Sequence, residues 1–471
     1  MADHTLTELS AVEAVAALTR GEVRPTELVE AAAARIGAVD PVVNALPTLC
    51  IDRALAHAAR IEAEQALPWL AGLPLAIKDL TEVAGVRTTF GSPIFAEHVP
   101  ARSDTMVERI EGRGGIVIAK SNTPEFGAGA QTFNEVFGRT LNPWDTSKTC
   151  GGSSGGAAVA LATGMAWLAQ GSDLGGSLRT PAGFCGVVGL RPSIGLVPHG
   201  PSPLPFNTLS VEGPMGRTVA DVALFLDAMT ASPPGAFDYL EAVNNAEIGT
   251  AFARRRVGYS ADLGIVPVDP AVTRVTDAAA GGLEKLGLAV TTDCPDFSTA
   301  REVFQVLRAV GFAAAHGEKL TTHRDLLKPD VVWNIEAGLT LTGERVAWAE
   351  RERGRIHNAM MAYFAEHDFL LAPTAIVPPF DVGTTSISEV NGHRFETYID
   401  WIAITFAITL TGCPTISIPC GFTENGLPIG LQVVAPPHRE ARLLAAARLM
   451  EEVFGVALAR PIDPRVRPSV Q

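Results

Sequence analysis

Residues 145–192 read DTSKTCGGSSGGAAVALATGMAWLAQGSDLGGSLRTPAGFCGVVGLRP, and the glycines in this stretch govern how the rest of the chain is interpreted. Twelve of the 45 residues from Gly151 to Gly195 are glycine, against 45 in all 471 residues, so the backbone here is expected to turn sharply and to approach something closely. Two serines sit in glycine cradles 24 residues apart, Ser153 in Gly-Gly-Ser-Ser-Gly-Gly and Ser177 in Asp-Leu-Gly-Gly-Ser-Leu-Arg. The pattern between them predicts a helix over 153–163, then a strand over 166–170 running into the Gly175-Gly176-Ser177 turn. Taken alone, a Gly-Ser-rich loop is more often a turn than a site.

Towards the N-terminus, Pro68, Gly72 and Pro74 punctuate the chain before the apolar run Leu75-Ala76-Ile77, which predicts a buried strand delivering Lys78. A helix over 104–111 and a second buried strand over 115–119 complete a βαβ unit. Earlier still, 6–18, 26–36 (capped by Thr26) and 49–66 read as helices. Towards the C-terminus the pattern predicts a loop at 198–205, a helix at 218–229 capped by Thr218, and a turn-rich linker at 232–250. Beyond lie a strand at 256–259, a helix at 269–286, helical stretches broken by turns over 300–364, strands at 368–373, 414–419 and 427–434, and a helix at 439–453. Elements alternate without repeat or long linker, which predicts a single α/β domain over 1–471.

Composition narrows the function classes. With 47% hydrophobic and 19% charged residues the chain can bury a large core, and a formal net charge of −14 argues against nucleic acid, whose phosphates need clustered Lys and Arg. Cys50, Cys150, Cys185, Cys294, Cys413 and Cys420 are too sparse for a disulfide scaffold and form no C-x-x-C pair, so reduced thiols in a cytoplasmic protein are expected. The first residues carry an acid and no signal-peptide apolar core. Two uncharged runs, 149–172 and 401–422, have the length of a membrane span, but Gly and Ser fill the first and Pro414 and Pro419 interrupt the second, so both are expected in the core. The ten histidines show no metal-ligand spacing and no phosphate-binding Gly-Lys-Ser/Thr loop is present, so no metal and no cofactor are expected.

The two serine cradles, with Lys78 in Gly-Leu-Pro-Leu-Ala-Ile-Lys-Asp, resemble three separated motifs of the amidase signature family, in the family's order. The resemblance implies that family's fold, a single α/β domain with a large mixed β-sheet covered by helices on both faces. It also implies a catalytic triad of Lys78, Ser153 and Ser177, and an activity of cleaving amide-type carbon–nitrogen bonds through an acyl-enzyme. Asp173 and Arg179 resemble positions with which the family braces the turn at Ser177.

These residue types suit the chemistry. A serine hydroxyl is a poor nucleophile unless a neighbouring base accepts its proton. A lysine is a base only when neutral, and at its ordinary pKa roughly one in 2,500 is neutral at pH 7; burial that lowers the pKa by about three units requires about 4 kcal/mol. Lys78, following an apolar strand, fits, although long cationic stems commonly snorkel to the surface. Neutral Lys78 would draw a proton from Ser153, Ser153 one from Ser177, and Ser177 would attack the carbonyl. Leu174, Gly175, Gly176 and Ser177 offer consecutive backbone N–H groups as an oxyanion hole. Cys150 and Ser154 are expected as site wall and hydrogen-bond support. The loop 125–133 (Glu125, Phe126, Gly127 and Phe133 among it), residues 204–208 with Phe206, and the region 304–348 with Trp333 are expected to line a largely apolar substrate pocket.

Alternatives remain open at this point. Gly152-Ser153-Ser154-Gly155-Gly156 also satisfies G-x-S-x-G, which would make Ser154 the nucleophile of an α/β-hydrolase; that motif needs a preceding strand, and 142–149 reads as a polar loop. Within the resembled family, one branch is the A subunit of a tRNA-dependent amidotransferase and carries Ser-Leu-Asp-Gln where this chain has Thr208-Leu-Ser-Val-Glu-Gly213, a departure that favours a stand-alone hydrolase. A non-catalytic scaffold is the third class. The expected partners are a small amide or carbamate substrate and, at most, a second copy of the chain as a homodimer, with no nucleic acid and no membrane.

Overall fold

Eleven strands hydrogen-bond into one mixed sheet: β1 (Thr48–Leu49), β2 (Pro74–Lys78), β3 (Ile116–Ser121), β4 (Leu168–Asp173), β5 (Val188–Arg191), β6 (Val211–Gly216), β7 (Arg256–Tyr259), β8 (Ala289–Thr292), β9 (Phe369–Pro373), β10 (Thr415–Phe422) and β11 (Pro428–Val434). Their spatial order is β1-β3-β2-β4-β6-β5-β10-β11-β9-β7-β8. This computed structural model describes residues 4–64, 67–230, 238–456 and 461–467. Strand β2 runs parallel to both β3 and β4, whereas β4 pairs antiparallel with β6, placing Ser172 opposite Glu212. Helices cover both faces of the sheet, the α/β architecture that the motifs imply.

Burial on both faces explains why the central strands show no polar alternation. Every residue of β2, β3 and β4 is buried. Fully buried Ile77 on β2, Leu168 at the start of β4 and Leu161 on the helix Gly155–Ala162 each contribute about 1.5–3 kcal/mol to the core beneath the site. The βαβ unit forms as read, its helix Thr105–Gly112 capped by the Asp104 carboxylate, which accepts the Met106 N–H at 2.8 Å. Thr218 likewise caps Val219–Met229 by accepting the Asp221 N–H at 3.1 Å. The uncharged run 149–172 becomes a fully buried helix, α1 (Gly155–Ala162), followed by β4; the run 401–422 becomes Ala403–Thr411 and β10. Among the described residues no helix is long and apolar enough to cross a membrane.

Some expectations need correction. The helix expected over 6–18 is two, His4–Glu8 and Ala11–Thr19, because Ser10 and Glu13 form a capping box: each side chain accepts the other's N–H, at 3.1 and 2.8 Å. Thr26 is not a cap; helix Pro25–Val43 starts one residue earlier, and Thr26 donates its amide and hydroxyl to Glu62 Oε1 at 2.8 and 2.7 Å. The helix expected over 49–66 is shorter, Ile51–Glu62, and residues 65 and 66 lie outside the described residues. Within the expected linker 232–250, residues 232–237 also lie outside them, and the remainder carries helices Tyr239–Asn244 and Ile248–Ala251. Strands β1, β5, β6 and β8 were not expected at all.

Candidate active site

Lys78 closes β2, held there by its own N–H donating to Gln170 Oε1 at 3.0 Å. Its Nζ lies 2.7 Å from Ser153 Oγ, 2.9 Å from Ser154 Oγ and 3.1 Å from Ser172 Oγ, with no solvent exposure. Burial pushes the ammonium down to about 7, against the carboxylates of Glu212 and Asp173, which favour the charged form. The neutral amine has two N–H donors and one lone pair, so one of its three hydroxyl partners must donate to it. Ser154 directs its proton at the Ser172 carbonyl, 3.3 Å away, and so accepts from Lys78. The hydroxyl donating to the lysine lone pair is therefore that of Ser153 or Ser172, and Ser153 is the nearer.

Ser153 follows the cis peptide Gly152–Ser153 immediately before α1. Gly152 lies against the backbone of Gln131: a Cβ there would fall 2.8 Å from its N and C atoms, which excludes any larger residue. Gly127 approaches from the other side, where a Cβ would stand 3.4 Å from Ser153 Oγ.

The Ser177 turn is braced from beneath. Asp173 ends β4 fully buried, and its carboxylate accepts the N–H groups of Gly176 and Leu178 at 3.0 and 3.2 Å. Arg179, at the start of α2 (Arg179–Cys185), grips both carboxylate oxygens at 3.1 and 3.0 Å and reaches Thr405 O and Gln432 Oε1 at 3.1 and 2.8 Å. Burial alone would push the Asp173 carboxyl up, but the guanidinium groups of Arg179 and Arg191 hold it well below the usual carboxylate range. One expected oxyanion donor is thereby corrected: the Gly176 N–H is committed to Asp173. Gly176 has φ +119°, and a side chain there would run into Thr405 Oγ1. The amides of Leu174, Gly175 and Ser177 have no protein acceptor among the described residues.

A cavity of ≈ 90 Å³ joins these groups, and Ser153, Ser177, Leu174 and Gly175 all line it. Phe126 and Gly127 line it as expected, whereas five other residues expected at the pocket or its wall lie elsewhere. Glu125 is buried behind the wall, accepting the Ser92 hydroxyl and the Lys328 N–H at 2.6 Å each. Phe133 packs beneath the cations of Lys328 and Arg139. Cys150 is fully buried, its thiol directed at the Thr140 and Gly151 carbonyls, and burial pushes it up to about 12. Phe206 is 94% exposed on the surface. Trp333 is also surface-lying, edge-on to Tyr398. Within the expected region 304–348 the wall comes from Phe304, Arg308 and Phe312 on α3 (Ala300–Thr322), and Ile399 and Ile402, which were not expected, complete it. Ser172 and Leu80 were missed too; their positions, beside Asp173 and two residues after Lys78, were the available signal.

A family model described as Amidase matches residues 27–444. An acylamidase of Rhodococcus erythropolis is 34% identical, covering 99% of this chain and all of its own length. The A subunit of the glutamyl-tRNA(Gln) amidotransferase of Synechococcus sp. (strain CC9605) is also 34% identical, over 94% of this chain and 96% of its own. The crystal structure of a bacterial aryl acylamidase of the amidase signature family superposes with a TM-score of 0.87 at 25% identity, covering 97% of this chain and all of that one. On its motifs, its fold and these matches, the chain belongs to the amidase signature family of amide carbon–nitrogen hydrolases.

Proposed function

We propose that the chain is a stand-alone hydrolase that cleaves a small amide through an acyl-enzyme on Ser177. One observation carries this reading: Lys78 Nζ, fully buried, sits 2.7 Å from Ser153 Oγ on a cavity that also holds Ser177. Ser177 Oγ attacks the carbonyl carbon and its proton passes to Ser153, whose own proton passes to Lys78. The developing oxyanion meets the amides of Leu174, Gly175 and Ser177, each worth about 3 kcal/mol in such a role. Lys78 then returns the proton through Ser153 to the departing nitrogen, and water repeats the sequence on the acyl-enzyme. Ser154, with its proton on a carbonyl, serves as an acceptor that orients the lysine, which disfavours the G-x-S-x-G alternative.

The amidotransferase-subunit reading is supported by 34% identity to such a subunit. The Thr208-Leu-Ser-Val-Glu-Gly213 segment supports the stand-alone reading instead. The test is the purified chain alone with an aryl amide and a fluorophosphonate label. Turnover without tRNA or partner proteins, with labelling lost in Ser177→Ala, is expected. A label kept in Ser177→Ala and lost in Ser154→Ala would overturn the assignment of the nucleophile.

A further inference from the structure

Beyond Leu80, Phe126 and Ser210, which line both spaces, the active-site cavity adjoins a larger chamber of ≈ 450 Å³. Its titratable lining is Glu82, Asp104, Glu212, His199, His316 and Lys319. Most of these are already engaged. Glu82 Oε1 lies 2.9 Å from His98 Nε2. Asp104 spends both oxygens on the N–H groups of Met106 and Gly200, at 2.8 and 2.7 Å. His316 stacks on Phe126 at 4.3 Å, and burial pushes it down to about 4, which keeps it neutral. Lys319 donates to Ala315 O at 3.3 Å and lies over the rings of Phe126 and Phe95. His199 stands near Asp104 and favours its ionised form. Glu212 is engaged through one oxygen, as Glu82 is: Gln170 donates to its Oε2, and among the described residues no donor meets Glu82 Oε2 or Glu212 Oε1.

The position of Glu212 gives this oxygen a use. It stands opposite Ser172 in the β4–β6 register, and Gln170 bridges it to the backbone of Lys78. The chamber therefore lies on the lysine side of the nucleophile, the side from which the departing nitrogen receives its proton, while the carbonyl oxygen faces the amides of Leu174, Gly175 and Ser177. We infer that the chamber receives the amine portion of the substrate, and that Glu212 selects amides whose amine portion carries a second, cationic nitrogen. This rests on the hydrolase reading above. Burial pushes the Glu212 carboxyl up to about 8, and an ammonium group in the chamber would favour its ionised form while supplying donors for charge-assisted hydrogen bonds, which are stronger than neutral ones. Asp104 has no oxygen to offer, and of Glu82 and Glu212, each with one oxygen that meets no donor among the described residues, only Glu212 is bridged to Lys78, so discrimination at the reacting end falls on that side chain.

The test compares matched pairs. In calorimetry with the unmodified chain, 1,4-diaminobutane is expected to bind about tenfold more tightly than butylamine, a factor worth about 1.4 kcal/mol. In kinetics, an N-(4-aminobutyl) amide is expected to exceed the N-butyl amide of the same acid by a similar factor in kcat/KM, and both ratios should fall towards one in Glu212→Gln. Equal values within each pair for the unmodified chain would overturn the proposal without requiring any variant to fold. A preference that persists in Glu212→Gln would also overturn it. Loss of turnover and of Ser177 labelling, with the diamine preference intact, would sink the hydrolase reading and leave the chamber as an amine site.

Discussion

Lys78 and Lys120 lie on neighbouring parallel strands, and the register pairs Ile77 with Lys120 and Lys78 with Ser121. Both are fully buried, and burial lowers both, to about 7 and about 8. They differ in what surrounds the nitrogen. Lys120 Nζ lies 2.6 Å from Thr81 O, 2.8 Å from Thr88 Oγ1 and 3.5 Å from Asp79 Oδ1. The Thr88 hydroxyl donates to Val86 O, so all three partners of Lys120 only accept, and the site fits an ammonium with three N–H donors. Around Lys78 the partners are hydroxyls, two of which have a proton to give. Burial favours the neutral amine at both positions, but only Lys78 has partners with a proton to give.

The comparison can be broken in four ways. The largest effect is expected from Lys78→Ala, which removes the base and should lower kcat/KM by about 10² to 10⁴. Active-site titration before steady-state assays should show Lys120→Ala losing far less per folded molecule, and equal losses would erase the distinction. Next, Lys120→Met strands the Asp79 carboxylate and should destabilise the fold by about 3–5 kcal/mol in urea unfolding. A loss under 1 kcal/mol would show that the pair is not structural.

The third effect concerns pH. Below the Lys78 value of about 7 the amine carries a proton and has no lone pair, so kcat/KM should fall about tenfold per pH unit on the acid side and level off above it. The limb should be absent from Lys78→Ala, and a limb that survives there would point to another base. The smallest effect has the opposite sign from the Lys120 variant. The folded-state value of Lys78 lies below the unfolded value of 10.5, so its cost to stability is full below pH 7 and fades as pH rises through 10.5. Lys78→Met, after losing hydroxyl contacts worth about 1 kcal/mol each, should gain about 1 kcal/mol at pH 7 and lose that gain near pH 11. Melting temperatures at the two pH values check it.

Much of the site was legible because its chemistry is written in short motifs. Glycine cradles mark Ser153 and Ser177, an apolar strand leads to Lys78, and Asp173 and Arg179 flank their turn. Which residues of the region 304–348 form the pocket wall was not legible. Phe304, Arg308 and Phe312 lie on one long helix whose inward face has the same periodicity whether it packs on core or on a cavity. Phe133 and Phe206 suggested a pocket by residue type, but aromatic character does not say which way a loop turns its side chain. Strands β5 and β6 escaped notice because Val-Gly-Leu-Arg and Val-Glu-Gly-Pro-Met-Gly show neither alternation nor a long apolar run. The break at Ser10 could have been read, since Ser10 and Glu13 have capping-box spacing.

Arg179 ties the Ser177 turn to residues more than 200 positions later, through Thr405 O, Thr409 Oγ1 and Gln432 Oε1. Lys78, Ser153 and Ser177 all leave the ribosome in the first half of the chain, yet the brace that shapes the nucleophile turn is not complete until Ala403–Thr411 and β11 have been made and docked. A nascent chain that already carries Lys78, Ser153 and Ser177 therefore lacks the finished turn until residues 405–432 have been made, so the candidate site takes its shape from the C-terminal part of the sequence.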